Sequence, residues 1–153
     1  MMNTARIVNA ILVGASLTLS TPAAPPAKTD KKAAASKDVS AAQVNGTWES
    51  RANTFKVWTL GGQKLQIEFA GIHEYKSPVG PMANTGEASG IAAIEGGTAI
   101  FPPEGFGEEC RIVLKFTDGK LIVKQDGNCG FGAGVAADGA YREVSGGKPK
   151  FGE

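Results

Sequence analysis

The sequence predicts an all-β domain: a small antiparallel barrel of about eight strands, with a two-sheet sandwich as the alternative. Three observations carry that prediction. Between Gln43 and Ser145, Val, Ile, Phe and Thr alternate with polar residues at a period of two, the spacing that puts side chains on one face of a strand. Glycines, several of them paired, punctuate the alternation, and no window of a dozen residues repeats its apolar positions at helical spacing. Cys110 and Cys129, the only cysteines, flank a hairpin signature and are candidates for a bridge.

The chain opens on a different kind of segment, "MMNTARIVNAILVGASLTLSTPAAPPA". Arg6 supplies a positive start, residues 7–19 form an apolar run, and small residues follow around Ala23. That three-part layout is a secretory signal peptide over residues 1–23, and the apolar run falls short of the ~20 residues of a spanning helix. The expected product is periplasmic or secreted, with no membrane insertion after cleavage. No cysteine lies in this region to carry a lipid anchor. Residues 24–42, almost all Pro, Ala, Lys, Ser and Asp, have too little apolar surface to offset backbone ordering and read as a flexible linker. Lys28, Lys31, Lys32 and Lys37 make it mildly basic.

Strands are expected over residues 46–50, 54–60, 64–69, 72–75, 87–94 and 98–101. In "CRIVLKF", Cys110, Ile112, Leu114 and Phe116 share one face while Arg111 and Lys115 take the other. Asp118-Gly119 is a strong signal for a two-residue hairpin turn, after which Leu121 and Val123 return inward. A last strand is expected over 135–143, and a disordered tail over 146–153. Phe55, Leu65, Ile67, Phe69, Ile112, Leu114, Phe116 and Leu121 are enough to fill a barrel of this size.

A two-residue turn at Asp118-Gly119 fixes the register of that hairpin. Phe116 then faces Leu121, Cys110 faces Gly127, and Cys129 lies just past the hairpin's end, within reach of Cys110. In an oxidising compartment such a pair forms a structural disulfide, worth about 3 kcal/mol in the chain-entropy view. Redox or nucleophilic chemistry would call for a Cys-x-x-Cys spacing or a neighbouring base, and neither is present.

Gly46-Thr47-Trp48 resembles the Gly-x-Trp that opens lipocalin and avidin barrels. The resemblance implies that Trp48 plugs the barrel floor and that a late arginine, here Arg142, packs across it. The ending "CGFGAGVAADGAY" is similar to that of small exported bacterial proteins of unassigned function, some with a lysozyme-inhibitor type of architecture. Lysozyme inhibitors of the periplasm carry a tyrosine three residues after Ser-Gly. Here Ser89-Gly90 is followed by Ile91, Ala92 and Ala93, so that side chain is missing.

Catalytic and cofactor signatures are weak. "GAGVAA", residues 132–137, fits a Gly-x-Gly-x-x-Ala pattern but lacks the following helix, inside a βαβ unit, that a dinucleotide site needs. Gly130 and Gly132 read instead as structural positions where backbones approach closely at a tight corner. The single histidine, His73, has no partner histidine at zincin spacing and no nucleophile elbow to serve. Glu104, Glu108 and Glu109 lie in a Pro/Gly-rich loop and read as solvated charges. Residues 43–145 carry nine basic and twelve acidic side chains, a net −3, so no basic patch recommends a nucleic acid. No cofactor or metal is expected.

Two segments, 75–87 and 101–109, read as long loops stiffened by proline, and loops on a rigid β scaffold commonly carry recognition. Tyr75 and Met82 in the first, with Glu104 and Phe106 in the second, are the candidate partner contacts. The expectation is a non-enzymatic exported binding protein for a macromolecular partner, such as an inhibitor of a cell-wall hydrolase like lysozyme. A small-molecule-binding barrel is the alternative, and a hydrolase using His73 and a nearby carboxylate is third.

Overall fold

The computed structural model of the protein describes residues 39–152. The expected signal peptide, and the expected linker up to residue 38, lie outside the described residues. Eight strands follow in order: β1 (Gly46–Ser50), β2 (Asn53–Gly61), β3 (Lys64–Ser77), β4 (Gly80–Glu95), β5 (Thr98–Phe101), β6 (Cys110–Thr117), β7 (Lys120–Gly127) and β8 (Gly139–Ser145). Each pairs antiparallel with the next and β8 returns to β1, so the sheet closes into an up-and-down barrel. The barrel, not the sandwich, is the architecture.

Alternation along the strands sends one side chain in two to the interior, and these are the apolar ones. Phe55, Val57, Leu65, Ile67, Phe69, Ile112, Leu114, Phe116 and Leu121 are all buried. Phe55 packs between Phe69 at 4.9 Å and Tyr141 at 5.1 Å, measured between ring centroids. An eight-stranded barrel is narrow enough for such side chains to occupy its interior.

The β6–β7 hairpin has the register read from its turn. Phe116 is opposite Leu121 and Cys110 opposite Gly127. Asp118 and Gly119 have φ of 43° and 74°, the double positive φ of a type I′ turn. Cys110 and Cys129 are bridged, and both are buried.

Trp48 is buried at one end of the barrel, as the Gly-x-Trp resemblance implies. Its indole Nε1 donates to the Val44 carbonyl at 3.1 Å, and Phe116 meets the ring edge-on at 5.5 Å. A Cβ on Gly46 would run into the Ser145 carbonyl, so the glycine is required where β1 closes on β8. Arg142 does not pack across the tryptophan. Tyr141 points inward on β8, its neighbour Arg142 therefore points outward and is exposed, and its pairing partners are Glu49 and Lys120. The end of the barrel is closed instead by the 3-10 turn Ala41–Val44, whose Ala41 and Val44 are buried beneath Trp48. Gln43 Oε1 accepts from the Ser40 amide at 2.9 Å at the start of that turn. Residues 39–42, expected in the linker, thus belong to the domain.

Two other boundaries differ from expectation. The last strand begins at Gly139, not at 135. Before it, Gln125 Oε1 accepts from the Ala137 amide at 2.9 Å and Asp138 Oδ1 from the Gln125 amide at 3.1 Å, so side chains replace the ladder there. Residues 146–152, expected to be disordered, have no helix or strand but lie against the barrel wall. Lys148 Nζ sits 5.7 Å from the Trp58 ring centroid, Phe151 is half-buried, and the Gly152 amide donates to Glu68 Oε2 at 2.6 Å.

Reduction of the disulfide, or Cys110→Ser with Cys129→Ser, is expected to lower unfolding stability by about 3 kcal/mol for a loop of this length. Urea unfolding with and without reductant measures it. Tyr141 gives a second expectation. Burial pushes its phenol up to about 12; a hydrogen bond from Asn53 partly opposes this and the charge of Asp138 adds to it. Because the folded value lies above the ordinary 10, the group's stabilisation is complete below pH 10 and is lost as pH rises toward 12. Tyr141→Phe should flatten the alkaline decline in melting temperature over that window. It should also cost about 1–2 kcal/mol at neutral pH, since the hydroxyl donates to the buried Ala137 carbonyl.

Candidate functional site

Strand lengths around the barrel are unequal, and the inequality builds the site. β3 and β4 have 14 and 16 residues, whereas β5 has four. Pairing of β2 with β3 ends at Asn53 opposite Gly71, but the β3–β4 ladder continues to Ser77 opposite Gly80. Residues 72–85 therefore leave the barrel wall as a two-stranded arm. The expected loop over 75–87 is strand, turning only at Pro78 and Val79, and the strands expected over 64–69 and 72–75 are one. Proline misled here because it is tolerated at turns and at sheet edges, the places Pro78 and Pro81 occupy.

Alternation divides the arm into two faces. One carries His73, Tyr75, Asn84 and Met82, and continues the barrel's interior face; the other carries Ile72, Glu74, Lys76 and Thr85. Tyr75 and Met82 are directly opposite each other, with the phenol oxygen 3.8 Å from Met82 Sδ. His73 stacks on Tyr75 with ring centroids 6.3 Å apart. Tyr75, Met82, Ile72 and Val79 are all exposed, Val79 at 89 % of its surface. Isolated exposed apolar residues are ordinary, but the arm carries four: Tyr75 and Met82 side by side on one face, Ile72 on the other and Val79 at the tip.

The glycine-rich stretch is packed along the base of this arm. The Gly132 amide donates to the Thr85 carbonyl at 3.0 Å, and Asn84 Nδ2 donates to the Ala133 carbonyl at 2.6 Å. A Cβ on Gly132 would stand 2.8 Å from both the Thr85 oxygen and Asn84 Cβ. One on Gly134 would strike the His73 ring, and one on Gly130, where φ is +62°, would meet the Phe106 ring at 3.0 Å. The stretch is thus a close backbone-to-strand contact. Phe131 sits at its centre, 5.0 Å from Phe69 and 6.0 Å from Phe106 between centroids.

Phe106 is accordingly half-buried, edge-on to Phe131. Glu104 is exposed, and its amide donates to the Ser89 carbonyl at 2.9 Å, fixing the loop against the edge of β4. Glu104 and Phe106 line a cleft of about 500 Å³ together with Glu68, Phe69 and Glu87. Glu68 is paired there with Lys56 at 2.6 Å. The four predicted contacts thus fall into two pairs at one end of the barrel: Tyr75 with Met82 on the arm, Glu104 with Phe106 at its base. Sequence reasoning missed Ile72, Val79 and Phe131. Val79 stands between proline and glycine, which marks a turn, and an apolar residue at a turn is the signal that was available.

Among the described residues no group of three or more His, Cys, Asp or Glu side chains is placed to hold a metal ion, and no helix is long and apolar enough to cross a membrane. Glu108 and Glu109 lie on the exposed 3-10 turn Gly107–Glu109.

Gly132→Ala is expected to lower stability by about 1–3 kcal/mol, the usual cost of forcing atoms into a filled space. Thermal unfolding reads that loss, and hydrogen exchange should show faster opening at Thr85 and its neighbours.

Comparison of the chain with protein-family models, with curated proteins and with solved structures finds no match.

Proposed function

We propose that the protein is a non-enzymatic binding protein of the periplasm or extracellular space, which contacts a macromolecular partner through the β3–β4 arm. The arm itself is the observation that carries this reading. It extends a two-stranded ribbon past the barrel wall and presents Tyr75, Met82 and Val79 to solvent, held at its base by the glycine-rich stretch. Tyrosine and methionine are enriched at the centres of protein interfaces, where they bring large contact area.

The occupied interior favours this reading over a small-molecule carrier. A carrier of the lipocalin kind holds its ligand inside the barrel in about 300 Å³ or more, whereas Phe55, Phe69, Phe101 and Tyr141 take up the space between the walls and leave only clefts on the outside. The partner class is an exported cell-wall hydrolase of the lysozyme type, taken from the architectural resemblance alone. The missing tyrosine after Ser89-Gly90 would leave recognition to the arm.

The test is binding and inhibition measured against purified lysozyme-type hydrolases, alongside capture of partners from the exported fraction of a bacterium. Tyr75→Ala and Met82→Asp should each weaken a captured partner by about tenfold or more, as loss of an interface anchor does. Partner binding indifferent to both substitutions would remove the arm from the interface. A co-purifying small molecule with no protein captured would make the chain a carrier, and substrate turnover abolished by His73→Ala would make it an enzyme.

A further inference from the structure

The arm has two long edges, and they are not equivalent. On β4, the Thr85 carbonyl is taken by the Gly132 amide, the Ser89 carbonyl is taken by the Glu104 amide, and Pro81 has no N–H to offer. Those two bonds also fix which way the backbone groups point. Thr85 and Ser89 face away from β3, so their cross-strand partners Ile72 and Glu68 face away from β4. By alternation, Ile72, Glu74 and Lys76 turn their N–H and C=O groups to the outer edge of β3. β2 covers that edge only as far as Gly71. Beyond it, no other strand pairs with the edge among the described residues. An uncovered edge carrying no proline and no bulge is a template for another strand.

We propose that this edge of β3 pairs with the same edge of a second copy of the chain, joining two barrels through a continuous four-stranded sheet ordered β4, β3, β3, β4. It is argued from the backbone edge of the arm and not from the partner proposed above, and it leaves Met82 facing solvent while taking up Val79 and the Tyr75 rings.

Register follows from faces and charges. A two-fold axis perpendicular to the sheet makes the two β3 segments antiparallel and keeps their faces matched. Residues directly opposite must share a face, so the axis passes through a residue position and not between two. Centred on Glu74, it would set Glu74 against its own copy, and centred on Lys76, it would set lysine against lysine. Like charges directly opposite are destabilising. Centred on Tyr75, it sets Glu74 of each copy against Lys76 of the other, both exposed and neither holding an ion-pair partner among the described residues. A lysine on a free edge ordinarily discourages pairing. Here a glutamate two positions away supplies the matching charge, and the edge is complementary to itself.

The same register places Pro78 of one copy opposite Ile72 of the other, so that the Val79 turn reaches the mouth of a second cleft. That cleft, of about 560 Å³, is lined by Ile72, Arg51, Ala52, Asn53 and Gly134. The most exposed apolar side chain of the arm, Val79, and the exposed Ile72 are covered together. On the opposite face, the Tyr75 rings of the two copies meet at the axis, and each copy's Met82 lies beside its own ring.

Sedimentation equilibrium on the intact exported chain, at rising concentration, tests the association. A concentration-dependent dimer is expected. Glu74→Lys or Lys76→Glu alone should weaken it by about tenfold, since each creates two like-charge pairs across the axis. The double exchange Glu74→Lys with Lys76→Glu should restore it. Tyr75→Cys reads the register directly, because opposed positions in a non-hydrogen-bonded antiparallel pair lie within disulfide reach. It should give a covalent dimer on mild oxidation, while Val79→Cys should not. A chain that stays monomeric throughout overturns the proposal. So does a dimer that ignores both charge reversals, or one that cross-links at Val79 in preference to Tyr75. All of these side chains are exposed, so the fold itself is not at stake in the variants.

Discussion

β5 has four residues where its neighbour β4 has sixteen, and most of the molecule's particular features answer that shortfall. A barrel wall is sealed by ladder hydrogen bonds, but β5 can seal β4 only over Ala93–Glu95. The rest of β4's edge would stand open over the core residues Phe69 and Ala88. Two irregular segments cover it. The loop after β5 bonds to β4 at Ser89, and the glycine-rich stretch after β7 bonds to it at Thr85. The Cys110–Cys129 bridge ties the second of these to the start of β6, next to the end of the first. Phe106 and Phe131, one from each segment, close over Phe69 in the gap. Irregular backbone therefore does here what a longer strand would do elsewhere, and Gly132 is fixed by how near it must lie to β4.

The parts of this arrangement that depend on local chemistry were legible in the sequence, while those set by distant neighbours were not. Asp118-Gly119 dictates its own turn, and through it the placing of Phe116, Cys110 and Cys129. Gly46 and Trp48 announce a barrel entrance, and the alternating apolar residues name the core. Arg142 shows where that reasoning stops. Its direction is decided by the inward turn of Tyr141 and by a shift of register between Thr47 and Trp48, neither visible in one strand's own residues. The segment 75–87 fails for the opposite reason. Pro78, Gly80 and Pro81 carry strong local turn chemistry, yet only the turn at Pro78-Val79 is used, because β4 pairs with β3 across all the rest. Gly132 lies against the Thr85 backbone of β4 and Gly130 against the Phe106 ring, both far from them in the chain, so the object of each approach is hidden in the local sequence.

For the candidate site, residue types were legible and grouping was not. Tyr75 and Met82 pair because of the hairpin register, and Phe106 turns inward because Phe131 is there to receive it. Ile72 and Val79 were passed over as strand and turn residues. Their exposure follows from the length by which the arm outruns β2, which no residue of the arm records by itself. A surface of this kind is made by what ends around it.

The up-and-down order of the strands has one more consequence, for how the chain reaches this structure. Seven of its eight strand pairings join consecutive strands, so most contacts can form between residues near in sequence and at small loss of chain freedom. The eighth, β1 with β8, brings Thr47 to Ser145 and must enclose nearly the entire domain. Until that seam forms, the molecule is an open curl with two bare edges, prone to zip onto the wrong chain. Gly46 lies in that seam, against the Ser145 carbonyl, with no room for a side chain. The glycine that opens the first strand is therefore a condition for closing the seam, and a chain in which the seam is open bares the edges of both β1 and β8.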